Sequence, residues 1–197
     1  ASRMAFEQIT LTANEEFGLA YATERILTDS PQSFVAILQA GFRDEYAANG
    51  MRERIRGTGV GERQGVLTTP CLITVNKETG QAADTIVTEN IDKMAARCWR
   101  YGSAVWLANH GVRPQLSGLT RAVGTGGVAS NYFMASPGGT ETLYGRPIFF
   151  TEFASAIGDL GDLILGNWSE YLEGQYESEQ YAESIHVRFA AAERAFR

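Results

Sequence analysis

Along the chain, apolar and polar residues first alternate and then repeat with a helical period. Residues 6–13 place Ile9, Leu11 and Ala13 on one side and Gln8, Thr10 and Thr12 on the other, which is the pattern of a half-buried strand. Asn14, Glu15 and Glu16 open a short helical stretch that runs through Ile26 and Leu27 and stops at Ser30-Pro31. Ser30 before Pro31 is itself a helix start, because a serine caps well and proline at the first position sacrifices no hydrogen bond. Apolar residues then recur at Phe34, Val35, Leu38, Phe42, Tyr46 and Ile55, while Arg52, Arg54 and Arg56 gather where cations suit the helix dipole. The spacing predicts one helix from Pro31 to Arg56, closed by Gly57 and weakest at Gly41 and Gly50. Its length would be roughly 39 Å, against a diameter of about 42 Å for a compact globule of this size. A subunit built along a spine is therefore expected.

A glycine-rich connection, residues 57–65, leads to Val66, Leu67, Leu72, Ile73 and Val75, which read as short strands. Thr88 is expected to cap a second helix, with Ile91, Met94, Ala95, Cys98 and Trp99 as its apolar stripe and Gly102 as its end. Strands are expected at 104–108, at 143–150 with Pro147 as an edge-type proline, at 162–168 and at 185–189, with Gly-, Ser- and Thr-rich loops around a short helix or strand between Gly118 and Gly139. The mixture is α+β, without a βαβ rhythm and without an internal repeat.

Composition narrows the function. The chain has 197 residues, of which 44% are hydrophobic and 20% charged, enough for one large domain or two lobes sharing a core. It contains no run of about 20 apolar residues and no targeting segment, so no membrane is expected. A net charge of -6 argues against a nucleic-acid reader, which needs clustered cations to neutralise phosphates. Only Lys77 and Lys93 among its 17 basic residues are lysines; an arginine-rich, aromatic-rich chain suits an assembling protein, and codon bias explains the skew equally well.

Candidate chemistry finds little support. Gly57, Gly59 and Gly61 follow a helix and lack the Lys-Ser/Thr of a phosphate loop, as does the Gly124–Gly127 cluster. His110 and His186 have no ligand-spaced partner, and Cys71 and Cys98 read as an isolated pair of thiols. No Gly-x-Ser-x-Gly elbow is present. Asp159 and Asp162 are the residues on which an intracellular hydrolase or a calcium loop would have to rest, and a solvated turn explains them more simply. No catalytic, cofactor-binding or metal site is therefore expected, and no cofactor. The acidic tract Glu170, Glu173, Glu177, Glu179 and Glu183, interleaved with Tyr171, Tyr176 and Tyr181, reads as an exposed face able to meet a neighbour's arginines.

Several stretches, in order, resemble the tailed-phage major capsid family of the Hong Kong 97 type. They are Ile9-Thr10-Leu11 with residues 23–31, Arg56-Gly57-Thr58-Gly59 with residues 64–67, residues 101–110, Leu143-Tyr144-Gly145-Arg146-Pro147-Ile148, residues 164–169, and Val187-Arg188 with Glu193-Arg194. Asn167 stands where the family often has Asp. The resemblance implies a Hong Kong 97-like fold with a long spine helix, a peripheral lobe and an axial lobe. Residues 1–29 would form the base of the extended loop and the approach to the spine, 30–87 the peripheral domain, 88–166 the axial domain, and 167–197 the return to the peripheral domain. It also implies that this chain is a core, with an N-terminal arm and the outer extended loop upstream.

By the same resemblance, the protein is a structural subunit of a phage or prophage head. It would self-assemble into hexamers and pentamers around packaged double-stranded DNA, in the host cytoplasm, and end as part of the virion. Scaffold or protease and portal proteins are the further partners it implies. An encapsulin-like nanocompartment shares the fold and is the alternative. The residues expected at the assembly interface are Arg52, Arg54 and Arg56 on one copy and Glu170, Glu173 and Glu177 on the next.

Overall fold

The computed structural model describes residues 8–30, 33–121, 128–129, 133–134 and 139–197. In chain order the elements are β1 (Ala20–Thr23), α1 (Glu24–Asp29), α2 (Phe34–Arg56), α3 (Thr88–Arg97), β2 (Val105–Ala108), α4 (Arg113–Ser117), β3 (Thr120–Arg121), β4 (Val128–Ala129), β5 (Phe133–Met134), β6 (Thr142–Leu143), β7 (Arg146–Phe150), β8 (Leu163–Gly166), β9 (Glu183–Arg188) and β10 (Glu193–Phe196). The chain forms two compact units, one of residues 1–50 with 173–197 and the other of residues 51–172.

The second unit is built on a five-stranded sheet of order β5-β6-β7-β2-β8, in which only the β2–β7 pair is parallel. Strand β2 lies inside this sheet, between β7 and β8, and its inward-facing residues are apolar and close-fitting: Ala104, Trp106 and Ala108 are buried, as the period of two requires. Ile91 from α3, Val112, Leu116 and Leu119 from the α4 region, Leu143, Ile148 and Leu163 join them in one core, with Met94 and Phe150 packed at its margin. The β6–β7 hairpin turns at Tyr144 and Gly145, both with positive φ, as a two-residue turn between twisted strands requires.

Helix α2 runs unbroken through Gly41 and Gly50 for 23 residues, roughly 35 Å. Pro31, expected as its first residue, lies outside the described residues. The C-terminal end is finished by the chain that follows. The carbonyls of Glu53, Arg54 and Ile55 accept from the amides of Gly57, Val66 and Leu67 at 2.7, 2.9 and 3.0 Å, so the end leaves few orphan acceptors. This crossing explains two glycines by close approach. A Cβ on Gly57 would sit 2.0 Å from the Arg63 carbonyl oxygen, and one on Gly65 would sit 2.5 Å from the Gly57 nitrogen.

The first unit contains a three-stranded antiparallel sheet of order β1-β10-β9, α1 capped by the Thr23 hydroxyl, and residues 34–50 of α2. Among its described residues the buried positions are Ala22, Gly50, Ala195 and Phe196. The Phe196 ring lies against Tyr181 at 6.2 Å.

Several expectations are corrected. Residues 8–13 form no strand, because no described strand lies beside them to complete the ladder; Ile9 and Leu11 are 70% and 59% exposed. The helix expected from Asn14 shrinks to α1, with β1 taking residues that pair with β10. Residues 66–75 form turns and irregular chain, since Val66 and Leu67 spend their amides on the end of α2. Helix α3 is capped at Val87, whose amide donates to the Asn90 side chain at 3.1 Å, with buried Thr88 inside the first turn. The helix stops at Arg97, and Trp99 lies outside its stripe, exposed. Pro147 is on an interior strand. There β6 pairs with residues 146–147 and β2 with 148–150, so the missing amide falls before the parallel pairing begins.

Candidate assembly surface

Local geometry at the end of α2 determines what the three arginines do. Arg54 is half-buried, whereas Arg52 and Arg56 are exposed. The Arg56 guanidinium donates to the Ser155 hydroxyl at 3.1 Å. Arg52 and Arg56 line a shallow cleft of about 60 Å³ with Glu53, Gly57 and Glu62. Beneath it Glu53 is buried and accepts from Arg63 at 2.7 Å.

The turn after α2 is closed by a bridge between Thr58 and Gln64. It reverses at Gly59 and Gly61, whose φ values of 78° and 75° favour glycine. The Glu62 carboxylate accepts from the Thr58 amide at 2.8 Å and from its hydroxyl at 2.9 Å. Those bonds hold the Glu62 carboxyl below its ordinary value, the amide contributing most and the Arg52 charge adding to it. The tip of this turn, Val60, is exposed.

The glutamates are placed differently. Glu170 stands in a short turn after β8 and accepts from Arg100 at 3.0 Å, an exposed pair. Glu173 and Glu177 are exposed in the first unit, Glu177 accepting from Gln180 at 3.1 Å. Within one chain the structure thus gathers Arg52 and Arg56 around one cleft, and gives Glu170 to Arg100.

Sequence reasoning assigned Trp99 to a helix stripe and so missed a corner of the second unit. Trp99 is 72% exposed, and the Arg100 guanidinium lies 5.7 Å from the centre of its ring. Arg100 has a φ of 49°, a left-handed conformation unfavourable for a long side chain. Beside it the Tyr101 hydroxyl donates to the Tyr144 carbonyl at 2.7 Å and the two rings meet edge to face at 6.0 Å. Burial raises the Tyr101 hydroxyl above its ordinary value. The sequence signal was present in Arg97-Cys98-Trp99-Arg100, an aromatic residue flanked by arginines.

Residues 170 and 171 connect the two places. Glu170 holds Arg100, and the Tyr171 hydroxyl donates to the Gln64 carbonyl at 2.9 Å, in the turn after α2. Residues 170 and 171 thus bridge the Trp99 corner and the turn that borders the arginine cleft.

The Asp159/Asp162 loop is structurally committed. One Asp162 carboxylate oxygen accepts from the Gly158 amide at 3.0 Å and the other from the Leu163 amide at 2.7 Å. Among the described residues no group of three or more His, Cys, Asp and Glu is placed to hold a metal ion, and no helix is long and apolar enough to cross a membrane. Cys71 is exposed and Cys98 half-buried, both as free thiols, and burial raises the Cys98 thiol.

The family model of the phage capsid family matches residues 1–197. No curated protein matches the sequence. The fold is similar to the capsid of the empty GTA particle computed with C5 symmetry, with a TM-score of 0.69 and 15% identity over 100% of this chain and 74% of that one. It is also similar to the capsid of the native GTA particle, with a TM-score of 0.63 and 16% identity over 91% and 64%. A third likeness is to the holo-SrpI encapsulin complex from Synechococcus elongatus PCC 7942, with a TM-score of 0.57 and 13% identity over 91% and 64%. The chain thus spans just under two thirds of two of these three structures.

Proposed function

Because the chain belongs to the phage capsid family and has its Hong Kong 97-type fold, we propose that the protein is a shell-forming subunit, joining copies of itself into hexamers and pentamers that tile an icosahedral head around double-stranded DNA. The observation that carries this reading is the first unit, whose apolar residues are mostly uncovered. Ile9, Leu11, Phe17, Ile37, Val187 and Phe189 are all more than half exposed, apolar area that contact with a partner would bury. Neighbouring copies cover such residues in a closed ring or shell, where each subunit repeats one heterologous contact. The net charge of -6 suits a container that holds DNA without gripping it.

In this reading residues 30–87 with 167–197 are the peripheral lobe and 88–166 the axial lobe. Assembly takes place in the host cytoplasm, with scaffold or protease and portal proteins as partners, and the product is the virion capsid. Arg52, Arg54 and Arg56 meet Glu170, Glu173 and Glu177 across the subunit boundary. Exposed pairs contribute only about 0–1 kcal/mol each, so their main effect is register. Reversing the three arginines to glutamate is expected to impair assembly and leave the unassembled chain folded. Unaltered particles from that variant reject the pairing.

The experiment is negative-stain microscopy of the full-length protein with its mass from light scattering, with scaffold supplied. Closed shells or six-fold and five-fold rings are expected. A persistent compact monomer or dimer overturns the reading, and enzyme cargo inside the particles would move it to a nanocompartment.

A further inference from the structure

The geometry points to Trp99 as the anchor of a contact between two copies of this chain, receiving Tyr176 and the acidic segment 172–181 of the second copy. This rests on the shell-subunit reading and names the partner of the surface that reading uses.

Three observations carry it. First, Trp99 has the composition and the setting of a binding hot spot. An exposed tryptophan under a guanidinium, beside exposed Arg97 and the Tyr101–Tyr144 ring pair, is the residue mixture enriched where few side chains dominate an interface. Second, the corner is set in place before any partner arrives. Arg100 has a left-handed conformation, and its guanidinium donates to Glu170. Backbone conformations of this kind persist where the surroundings enforce them and concentrate at ligand clamps. Third, the chain carries the complement. Residues 172–181 form no helix or strand, with Leu172 exposed and Tyr176 85% exposed. Glu173, Glu177 and Glu179 lie within the segment, and no lysine or arginine occurs from Asn167 to Val187.

Charge and shape then select the pairing. A segment of this length, extended, reaches about 33 Å, and its carboxylates at 173, 177 and 179 flank the Tyr176 ring. Laid along a neighbour's surface from Trp99 toward the cleft of Arg52 and Arg56, it sets Tyr176 against the indole and its glutamates against Arg97 and the spine arginines. Tyr171 and Glu170 of the receiving copy tie the two halves of that surface together.

A double-mutant cycle in the full-length protein tests the contact, with the concentration needed for half-maximal shell formation as the readout. Trp99→Ala and Tyr176→Ala are each expected to raise that concentration at least about tenfold, and the double variant to be little worse than either alone. Single variants that assemble like the wild type, or a double variant whose effect is the product of the two, overturn the contact while leaving the shell reading intact. A wild-type protein that never assembles overturns the shell reading instead. A second measurement stands if a variant assembles or folds poorly. With Cys71→Ala and Cys98→Ala as background, copies carrying Trp99→Cys are mixed with copies carrying Tyr176→Cys and oxidised during assembly. Linked dimers in the mixture and in neither parent alone support the contact, and shells with no linked dimer refute it.

Discussion

The two units of this chain bury their residues in different ways. The second closes a core on itself. Trp106, Ile91, Leu143, Val112 and Leu116 are essentially inaccessible and interlock strands with two helices, and even its irregular stretches are tied down by the end of α2. The first carries regular elements of comparable length, yet among its described residues Ala22, Gly50, Ala195 and Phe196 are the buried positions. Strand β9 shows the difference most clearly. It pairs with β10 across a register shift, but Ile185 and Val187 remain exposed, as does Phe189 after it. Hydrogen bonding alone contributes little net stability. A sheet with bare apolar side chains gains little from burial within one copy, and in the shell-subunit reading proposed above neighbouring copies supply the rest.

The largest expected effect divides the two units directly. Trp106→Ala removes a side chain with no exposure and should cost about 3–5 kcal/mol of stability. Phe189→Ala, at 80% exposure, should stay within about 0.5 kcal/mol. Thermal or urea unfolding of the unassembled full-length protein measures both. The same Phe189 variant is expected to lose shell formation. If Phe189→Ala unfolds as readily as Trp106→Ala before assembly, the first unit has a core of its own and the comparison fails.

A smaller effect concerns the junction where α2 ends. Gly57→Ala puts a methyl group 2.0 Å from the Arg63 carbonyl oxygen and 2.7 Å from that of Glu53, and both are backbone atoms that cannot swing aside. Overpacking of this kind costs about 1–3 kcal/mol or more, again read from unfolding midpoints. Gly41→Ala is the control. Nothing lies within 4 Å of a Cβ at Gly41, and alanine gains about 1 kcal/mol of helix propensity over glycine. Opposite signs for the two glycines of one helix, or near it, would confirm that only the second unit packs tightly at the backbone.

What could be read from the sequence follows the same division. In the second unit the pattern and the packing agree: Trp106 and Ala108 alternate and are buried, Ile91 and Met94 recur with helical spacing and face the core. The parallel β2–β7 pairing was not legible, because partner choice between strands leaves no local trace. Residues 66–75 misled for a related reason. Their apolar residues look strand-like, but Val66 and Leu67 are there to close a helix end, a role that depends on the chain crossing back at Gly65. In the first unit, Ile9 and Leu11 alternate correctly for a strand, but among the described residues no strand pairs with them and both side chains are exposed. Of the candidate assembly surface, the charges were legible as runs of arginine and glutamate, whereas the Trp99 corner depends on α3 ending at Arg97, and helix ends are set by a residue or two.

The smallest prediction sharpens the account of the turn after α2. Two hydrogen bonds from Thr58 favour the charged form of Glu62 and lower its pKa. A carboxyl with a lower pKa in the folded state contributes stability above its unfolded value, about 4.3, and loses it as pH falls through the folded one. The Thr58 amide proton should therefore titrate in nuclear magnetic resonance spectra with a midpoint below the ordinary glutamate value, and the transition should vanish in Glu62→Gln while the bridge between Thr58 and Gln64 persists. Because the turn is on the surface, global stability should change little. A midpoint at or above the ordinary value would mean that the carboxylate does not close the turn, leaving the backbone bridge and the glycines at 59 and 61 to hold the edge of the arginine cleft.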